Sequence, residues 1–164
     1  MRTGEAIGAR WSEIDLGAAR WTVPAERTKT AREHRVPLSG RALTLLRTLH
    51  KATGGDGFVF QGMKLKRPLS HVAMLKTLAC MGRGDLTVHG FRSSFRDWAE
   101  EQTAFGGSIA EAALGHVVGD KVEAAYRRGD LFEKRRKLMA AWGAFCMTPT
   151  AGAKVIPIGR GSHG

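Results

Sequence analysis

Cysteines and long apolar runs are scarce in this sequence, and both shortages exclude classes of protein. The two cysteines, Cys80 and Cys146, are too few for a disulfide framework and lack the close spacing of a metal or redox pair. No apolar run approaches the roughly 20 residues that a membrane-spanning helix needs. The start of the chain, Met1 to Glu5, lacks the apolar stretch of a signal peptide. We therefore expect a protein of a reducing compartment, the cytoplasm, without membrane association.

Acidic residues are also few, which leaves a large positive charge. The 164 residues include 26 Lys and Arg against 15 Asp and Glu, so the formal net charge is +11 at pH 7. Basic residues recur in separate segments, at 27–35, 64–67, 92–96 and 127–137. The simplest partner for such a charge is a polyanion, most often a nucleic acid. A basic surface that serves only solubility is the alternative that composition leaves open.

The chain suits one domain with a single buried core, since 43% of its residues are hydrophobic. Its patterns predict strands at 20–24 and 34–38, joined by the polar loop 25–33, and a further short strand at 58–60. The Gly- and Pro-rich stretch 149–164 predicts a flexible tail. The sequence thus predicts a mainly helical domain with a small antiparallel β-hairpin, an α+β fold, followed by a tail.

Helical patterns occupy most of the remaining chain. Helices are predicted at 3–9, 88–101, 108–115, 120–128 and 131–147. Two more are predicted to begin at Ser39 and at Ser70. The first of these has Leu43, Leu46 and Leu49 on its inner face, and the second has Leu75, Leu78 and Ala79 facing inward. Ser39 is expected to be an N-cap. The pairs Ser108 with Glu111 and Asp120 with Glu123 have the spacing of capping boxes.

The predicted helix at 88–101 carries an imidazole and a guanidinium on its polar face. His89 and Arg92 are three positions apart, and Arg96 follows one turn later. The opposite face, which we expect to be buried, consists of Phe91, Phe95 and Trp98. An imidazole beside a guanidinium can donate several hydrogen bonds to a phosphodiester. A solvated polar face with an incidental histidine is the ordinary alternative.

The chain has a single tyrosine, Tyr126, which follows the segment Leu114-Gly115-His116 and precedes Arg127 and Arg128. A phenol is a competent nucleophile toward phosphorus where basic neighbours stabilise its phenolate. The ordinary alternative is a tyrosine packed at a helix edge with a hydrated hydroxyl.

The predicted hairpin loop contains Lys29 between Arg27 and Arg32. A lysine on a basic hairpin can reach into a groove and donate a proton. An exposed loop lysine without such a role is the ordinary alternative.

Five separated motifs occur in an order and spacing that resemble the tyrosine recombinase (phage integrase) family, especially integrases of satellite phages and genomic islands. They are Arg2-x-x-Glu5, the hairpin Lys29, His89-x-x-Arg92, Leu114-Gly115-His116 and Tyr126. The strings that carry the resemblance are RTGEAIGARWSEIDL (2–16), WTVPAERTKTAREHRVPLS (21–39), VHGFRSSFRDWAEE (88–101), ALGHVVGDKVEAAYRRGDL (113–131) and RRKLMAAWGAF (135–145). The resemblance covers residues 1 to about 146. It implies that 1–148 form the family's catalytic domain, truncated at its N-terminus, and that 149–164 are a tail.

The resemblance implies a site-specific DNA recombinase that needs neither a metal nor another cofactor. Such an enzyme cleaves and rejoins DNA strands through a 3′-phosphotyrosyl intermediate during integration and excision of a mobile element. By motif, Tyr126 would be the nucleophile and Lys29 the general acid toward the leaving 5′ hydroxyl. The residues implied to hold the phosphate are Arg2, His89, Arg92 and His116, with Glu5 as support. The residues expected on flanking phosphates are Arg27, Arg32, Arg96, Arg127 and Arg128.

The resemblance also implies partners. These are double-stranded DNA with attachment sites, a homotetramer on DNA for the full-length protein, a monomer for the isolated chain, and accessory DNA-bending and directionality factors. Two other functions stay open at this point. One is a non-catalytic DNA-binding remnant of an integrase, and the other is a DNA-relaxing enzyme similar to type IB topoisomerases.

Overall fold

The computed structural model describes residues 1–64, 66–116 and 129–148. Its elements in chain order are α1 (Thr3–Ile7), a first 3-10 helix (Trp11–Glu13), β1 (Ile14–Asp15), β2 (Arg20–Val23), a second 3-10 helix (Ala25–Arg27), β3 (His34–Pro37), α2 (Gly40–Thr53), α3 (Ala73–Cys80), α4 (Gly90–Glu101), α5 (Gly107–Ala113) and α6 (Phe132–Met147). The predicted fold class, mainly helical with a small antiparallel sheet, is confirmed. Within these ranges no helix is long and apolar enough to cross a membrane. The predicted helix at 120–128, with the Asp120 and Glu123 pair, and the predicted tail at 149–164 lie outside the described residues.

The sheet has the strand order β1-β2-β3, and both neighbouring pairs are antiparallel. Trp21 of β2 lies opposite Ile14 of β1 and Val36 of β3, and Val23 lies opposite His34. Buried and less buried residues alternate along β2, as expected for a strand with one face on a core. The predicted hairpin is therefore confirmed. Strand β1 has only two residues, too few for a period-two pattern to reveal it.

Residues 58–60, predicted as a strand, do not extend this sheet. Phe58 forms only an isolated bridge with Arg10. The backbone N–H of Val59 donates a hydrogen bond to the carbonyl of Ala9 at 2.8 Å. The segment thus pairs with the turn after α1, although Val59 is as buried as a central strand residue.

Two clusters of buried side chains form the interior of the described part. The first joins the sheet to α2 and contains Ala9, Trp11, Trp21, Val23, Val36, Leu46 and Val59. The second joins α4, α5 and α6 and contains Phe95, Trp98, Ala99, Ala110, Leu114 and Leu138. The single core expected from composition is therefore divided between a sheet half and a helical half.

Helix α2 begins and ends as its sequence predicts. The Ser39 Oγ accepts a hydrogen bond from the N–H of Ala42 at 3.4 Å, and Gly54 after the last turn has a φ of 75°. Glycine adopts this left-handed conformation without strain, which is why it commonly ends helices. Leu46 of the predicted inner face is buried, and Leu49 packs against the same cluster.

Helix α3 differs from its prediction in where it begins and in what it buries. It runs from Ala73 to Cys80 rather than from Ser70. Leu75 and Ala79, which we expected to face inward, are exposed, and Leu78 is half-buried. Helical spacing of apolar residues defines a face, but it does not say whether another element covers that face.

The apolar face of α4 is buried over only part of its predicted length. Phe95 and Trp98 pack on Trp142 of α6, with ring centroids 5.4 and 5.0 Å away. Phe91 was also expected to be buried, but it is 52% exposed. Its ring instead lines an open apolar cavity.

Helix α5 lacks the capping box that its sequence predicts. It begins at Gly107, and no side chain caps its first turn, so the predicted cap by Ser108 is wrong. The Glu111 carboxylate contacts His116 and Arg96 instead. The spacing predicts that this carboxylate accepts a hydrogen bond from a backbone N–H. In the fold, charged side chains lie close to it and bind it instead.

Candidate functional site

A cavity of about 230 Å³ lies where α1, the hairpin, the end of α5 and the start of α6 meet. Its wall includes Arg2, Glu5, Arg35, His116, Asp130 and Arg135. A second cavity of about 310 Å³ is lined mainly by apolar side chains, together with Arg2 and Arg92. Because Arg2 belongs to both walls, the two cavities are neighbours and the two arginines lie near their boundary.

The start of α1 orients Arg2 through Glu5. Arg2 precedes the helix, and its backbone N–H donates to Glu5 Oε2 at 2.8 Å. The Arg2 guanidinium donates to Glu5 Oε1 at 3.1 Å, and Glu5 is 6% exposed. Burial alone would raise the pKa of Glu5, but the hydrogen bonds from the Arg2 backbone and side chain hold that pKa below its ordinary value. Glu5 therefore stays ionised and holds the guanidinium in one direction.

Arg92 contacts the turn after α5. Its NH2 donates to the carbonyl of Leu114 at 2.9 Å and lies 3.0 Å from His116 Nε2. Its NH1 is buried and has no hydrogen-bond partner among the described residues. Burial and then the charge of Arg2 lower the pKa of Arg92 from its very high ordinary value. A guanidinium stays charged in proteins, so Arg92 retains a donor for an incoming anion.

Gly115 allows the chain to turn His116 toward α4. Its φ is +68°, and a Cβ at this position would lie 3.5 Å from the ring of His34. Glycine suits the left-handed backbone, which explains this residue of the Leu-Gly-His motif, while the 3.5 Å distance is an ordinary van der Waals contact. Burial and then the charge of Arg135 lower the pKa of His34 to about 4, so its ring is neutral at pH 7.

Glu111 and Arg96 extend this arrangement along α4 and α5. Glu111 Oε2 lies 2.5 Å from His116 Nδ1, and Glu111 Oε1 accepts a hydrogen bond from Arg96 Nε at 2.8 Å. Burial raises the pKa of Glu111, but the hydrogen bonds from His116 and Arg96 bring it below its ordinary value. Sequence reasoning missed Glu111 as a site residue, because its only visible pattern was the spacing of a helix cap.

The other predicted catalytic residues lie apart from these contacts. Lys29 is exposed in the hairpin loop, while its neighbours Thr28 and Thr30 line the 230 Å³ cavity. His89 is exposed, and its carbonyl accepts a hydrogen bond from the N–H of Arg92 at 2.9 Å. Tyr126, with Arg127 and Arg128, lies outside the described residues.

Two of the arginines expected on flanking phosphates have carboxylate partners within the chain. Arg27 pairs with Glu13 and donates to the carbonyl of Glu5 at 2.7 Å. Arg96 pairs with Glu111, as described above. Arg32 is exposed and lines the 230 Å³ cavity. The DNA-contact roles of these residues stay predictions.

A buried arginine, Arg135, ties the start of α6 to the hairpin. It is 1% exposed and donates to the carbonyl of Arg35 at 2.5 Å and to Asp130 Oδ2 at 2.6 Å. Arg35 binds the same carboxylate through two hydrogen bonds, at 2.9 and 2.7 Å. The sequence shows basic residues throughout 127–137, but a helix pattern does not show which of them is buried.

We expect Asp130→Ala to destabilise the fold by about 2–3 kcal/mol, because it leaves the buried Arg135 charge without its counter-ion. Breaking a fully buried pair costs about 3–5 kcal/mol, and the lower figure allows for the partial exposure of Asp130. The exposed pair Arg83–Asp85 supplies the control, since Asp85→Ala should leave the urea midpoint unchanged. Equal midpoints for Asp130→Ala and the unmodified chain would contradict the expectation.

The same pair predicts a pH dependence. Burial raises the pKa of Asp130, but Arg35 and Arg135 bring it below its ordinary value. A carboxylate with a lowered folded-state pKa stabilises the fold above its unfolded pKa, and this contribution is lost as pH falls through the folded pKa. The difference in unfolding free energy between the unmodified chain and Asp130→Ala should therefore shrink below about pH 4. Urea titrations at several pH values measure it.

The side chains gathered here suit an anion held by charge and hydrogen bonds. Arg2 and Arg92 supply donors, His116 lies between Arg92 and Glu111, and Glu5 orients Arg2. Across the described ranges, no group of three or more His, Cys, Asp and Glu side chains could hold a metal ion. Fixed donors of this kind stabilise the negative charge that develops on a phosphate during transfer.

Comparisons with known proteins place the chain in a family. The model of the phage integrase family matches residues 1–130. The prophage integrase IntA of Escherichia coli K12 is 37% identical over 157 residues, which cover 94% of this chain and 38% of the relative. The prophage integrase IntZ of the same organism is 35% identical over 140 residues, covering 85% and 35% of the two chains. The integrase of enterobacteria phage P4 is 29% identical over 160 residues, covering 88% and 36%. No solved structure matches.

The chain spans less than two-fifths of the length of each of these three relatives. Within that part, the family match covers both Arg2, which precedes α1, and the turn that carries His116. On these grounds, the chain belongs to the phage integrase family.

Proposed function

We propose that this chain is the catalytic part of a site-specific DNA recombinase that acts on duplex DNA in the cytoplasm. It would cleave one strand by attack of Tyr126 and rejoin strands through a 3′-phosphotyrosyl intermediate. The motif order and the names of the three relatives described above, each called an integrase, support this proposal. Because the relatives are much longer, the activity of a whole integrase is part of the proposal.

The observation that carries the proposal is the contact between Arg92 and His116. The Arg92 NH2 lies 3.0 Å from His116 Nε2, and its NH1 has no partner among the described residues. Arg2 lines the same cavity as Arg92, so two guanidiniums lie at one cavity wall. A phosphodiester bound there would receive hydrogen bonds on its non-bridging oxygens from fixed donors.

The proposed reaction forms one bond between phosphorus and oxygen and breaks another. The Tyr126 hydroxyl gives its proton to water, its oxygen bonds to the phosphorus of the scissile phosphate, and the bond from phosphorus to the 5′ oxygen breaks. Lys29 gives a proton to that leaving oxygen, which becomes a 5′ hydroxyl. Arg2, Arg92, His89 and His116 stabilise the charge on the non-bridging oxygens. Attack by a 5′ hydroxyl of another strand reverses the step and joins the strands.

The proposed partner is double-stranded DNA with attachment sites. Exposed basic residues such as Arg32 would bind flanking phosphates, so DNA affinity should fall as salt rises. Assembly as a homotetramer on DNA and the participation of DNA-bending and directionality factors are further parts of the proposal.

The test uses nicked duplexes tiled across both ends of the DNA element that encodes the chain. A nick beside the scissile phosphate releases a short strand and traps a covalent protein–DNA adduct. We expect an SDS-resistant adduct in which the protein is joined to the strand whose 3′ end lies at the break. DNA binding without any adduct would contradict the proposal and support a non-catalytic remnant. Relaxation of supercoiled plasmid without joining of two sites would support the topoisomerase-like alternative.

A further inference from the structure

The carboxylate of Glu111 bridges two elements of the candidate site. One oxygen lies 2.5 Å from His116 Nδ1, and the other accepts a hydrogen bond from Arg96 Nε at 2.8 Å. An ionised carboxylate only accepts hydrogen bonds, so the proton between it and the imidazole belongs to Nδ1. This contact therefore determines which ring nitrogen of His116 carries hydrogen.

Arg92 contacts the opposite side of the same ring. Its NH2 lies 3.0 Å from His116 Nε2, and a guanidinium nitrogen can only donate. Nε2 must then accept, so the ring is neutral in this state, with its hydrogen on Nδ1. The imidazole is held from both sides, although 41% of the side chain is exposed.

A bound phosphate changes what His116 must do. The phosphate oxygens accept hydrogen bonds, so Arg92 NH2 would turn from Nε2 to the phosphate. His116 would then donate through Nε2 only after taking up a proton from solvent. The adjacent carboxylate of Glu111 stabilises the resulting imidazolium through Nδ1–H. Glu111 thus accepts the hydrogen bond from Nδ1–H both when the His116 ring is neutral and when it is an imidazolium.

We propose that Glu111 is a positioning residue for His116 and that Arg96 holds Glu111 in place. This inference rests on the proposed function, since it concerns how His116 acts on a phosphate. It assigns Arg96, expected from sequence to contact a flanking phosphate, a role within the protein. At metal sites, where a partner orients a ligating histidine through its second ring nitrogen, loss of that partner costs about 10- to 100-fold, and we expect the same range for His116.

A purely structural role for Glu111 predicts different results. The Arg96 and Glu111 side chains are 54% and 28% exposed, and pairs of this kind contribute little to stability. The helices they connect already share the buried cluster of Phe95, Ala110 and Leu138. Removing the carboxylate should therefore leave the fold intact, so its effect on the reaction can be measured separately.

The first experiment measures single-turnover cleavage of the nicked duplex at saturating DNA. We expect Glu111→Ala to slow cleavage about 10- to 100-fold with an unchanged Kd for DNA, and Glu111→Gln to slow it less because its amide oxygen still accepts from Nδ1. Glu100→Gln is the matched control, since Glu100 also lies near Arg96, at 4.0 Å, but is not a partner of His116. Equal losses in Glu111→Ala and Glu100→Gln, or a parallel loss of DNA affinity, would overturn the inference.

Coupling to His116 separates positioning from a general effect. In a His116→Ala background, Glu111→Ala should cause no further loss of rate, because the residue through which it acts is absent. A full additional loss in that background would show that Glu111 acts by another route and would overturn the proposal.

A measurement without DNA keeps the inference distinct from the proposed activity. Nitrogen-15 NMR of the histidine-labelled chain reports which ring nitrogen of His116 is protonated at neutral pH. We expect the Nδ1–H form in the unmodified chain and in Arg92→Ala, where Glu111 alone holds it, and a shift toward the commoner Nε2–H form when Glu111→Ala is added to Arg92→Ala. The Nε2–H form in the unmodified chain or in Arg92→Ala, or no shift in the double variant, would overturn the inference even if no cleavage is ever observed. Absence of cleavage with the expected NMR result would instead contradict only the proposed function.

Discussion

Tyr126→Phe is expected to abolish the covalent protein–DNA adduct completely while leaving DNA binding unchanged. The substitution removes one oxygen atom, and that oxygen is the one that would bond to phosphorus. The sequence has a single tyrosine, so no other phenol can replace it. The effect should therefore be a loss of the SDS-resistant band on nicked duplexes rather than a slower rate.

Binding supplies the control for this result. A gel-shift titration at fixed salt should give the same Kd for Tyr126→Phe and the unmodified chain, because the ring and all charges are retained. An adduct that persists in Tyr126→Phe would assign the nucleophile to another side chain. Acid hydrolysis of the unmodified adduct should release phosphotyrosine, and phosphoserine in its place would contradict the assignment.

Arg92→Ala is expected to lower the single-turnover cleavage rate by about 10²- to 10³-fold. This is the usual cost in enzymes of losing one fixed donor to a developing oxyanion. The guanidinium links the Leu114 carbonyl to His116 Nε2, and in the proposed reaction its NH1, which has no partner among the described residues, donates to the phosphate. Alanine removes all three functions at once. Arg92→Lys should restore only part of the rate, because a single ammonium lacks the planar arrangement of donors.

A change in net charge alone could also slow cleavage, through weaker binding. Arg83→Ala controls for this, since it removes one positive charge at an exposed pair with Asp85, away from the two cavities. We expect it to leave the rate at saturating DNA unchanged. Similar rate losses in Arg92→Ala and Arg83→Ala would contradict a specific role for Arg92.

Local patterns predicted much of the fold correctly. The hairpin follows from two short apolar runs around a polar loop, and both strands lie within one or two residues of their predicted ends. The start of α2 follows from Ser39, because an N-cap needs only a side-chain oxygen three residues before a backbone N–H. These features depend on residues that are close in sequence, so the sequence alone is enough to predict them.

Burial was harder to predict, because it depends on what covers a face. Phe91 and Leu75 occupy apolar positions of predicted helices, yet both are exposed. Arg135 occupies a basic position and is almost fully buried. Helical periodicity shows which residues share a face, but only the packing of α4, α5, α6 and the sheet decides which face has a neighbour.

For the candidate site, the sequence by itself determined the motif residues and their order along the chain. The tertiary structure decided which of them meet: it joins Arg92 to His116 and leaves Lys29 and His89 exposed. It also decided the contacts of Glu111 with Arg96 and of Arg35 with Asp130, which no motif indicates. Residues 35 and 130 are far apart along the chain, and a hydrogen bond between such residues forms only after the hairpin and α6 pack together. Local propensity carries no information about that packing, so these contacts are properties of the folded molecule alone.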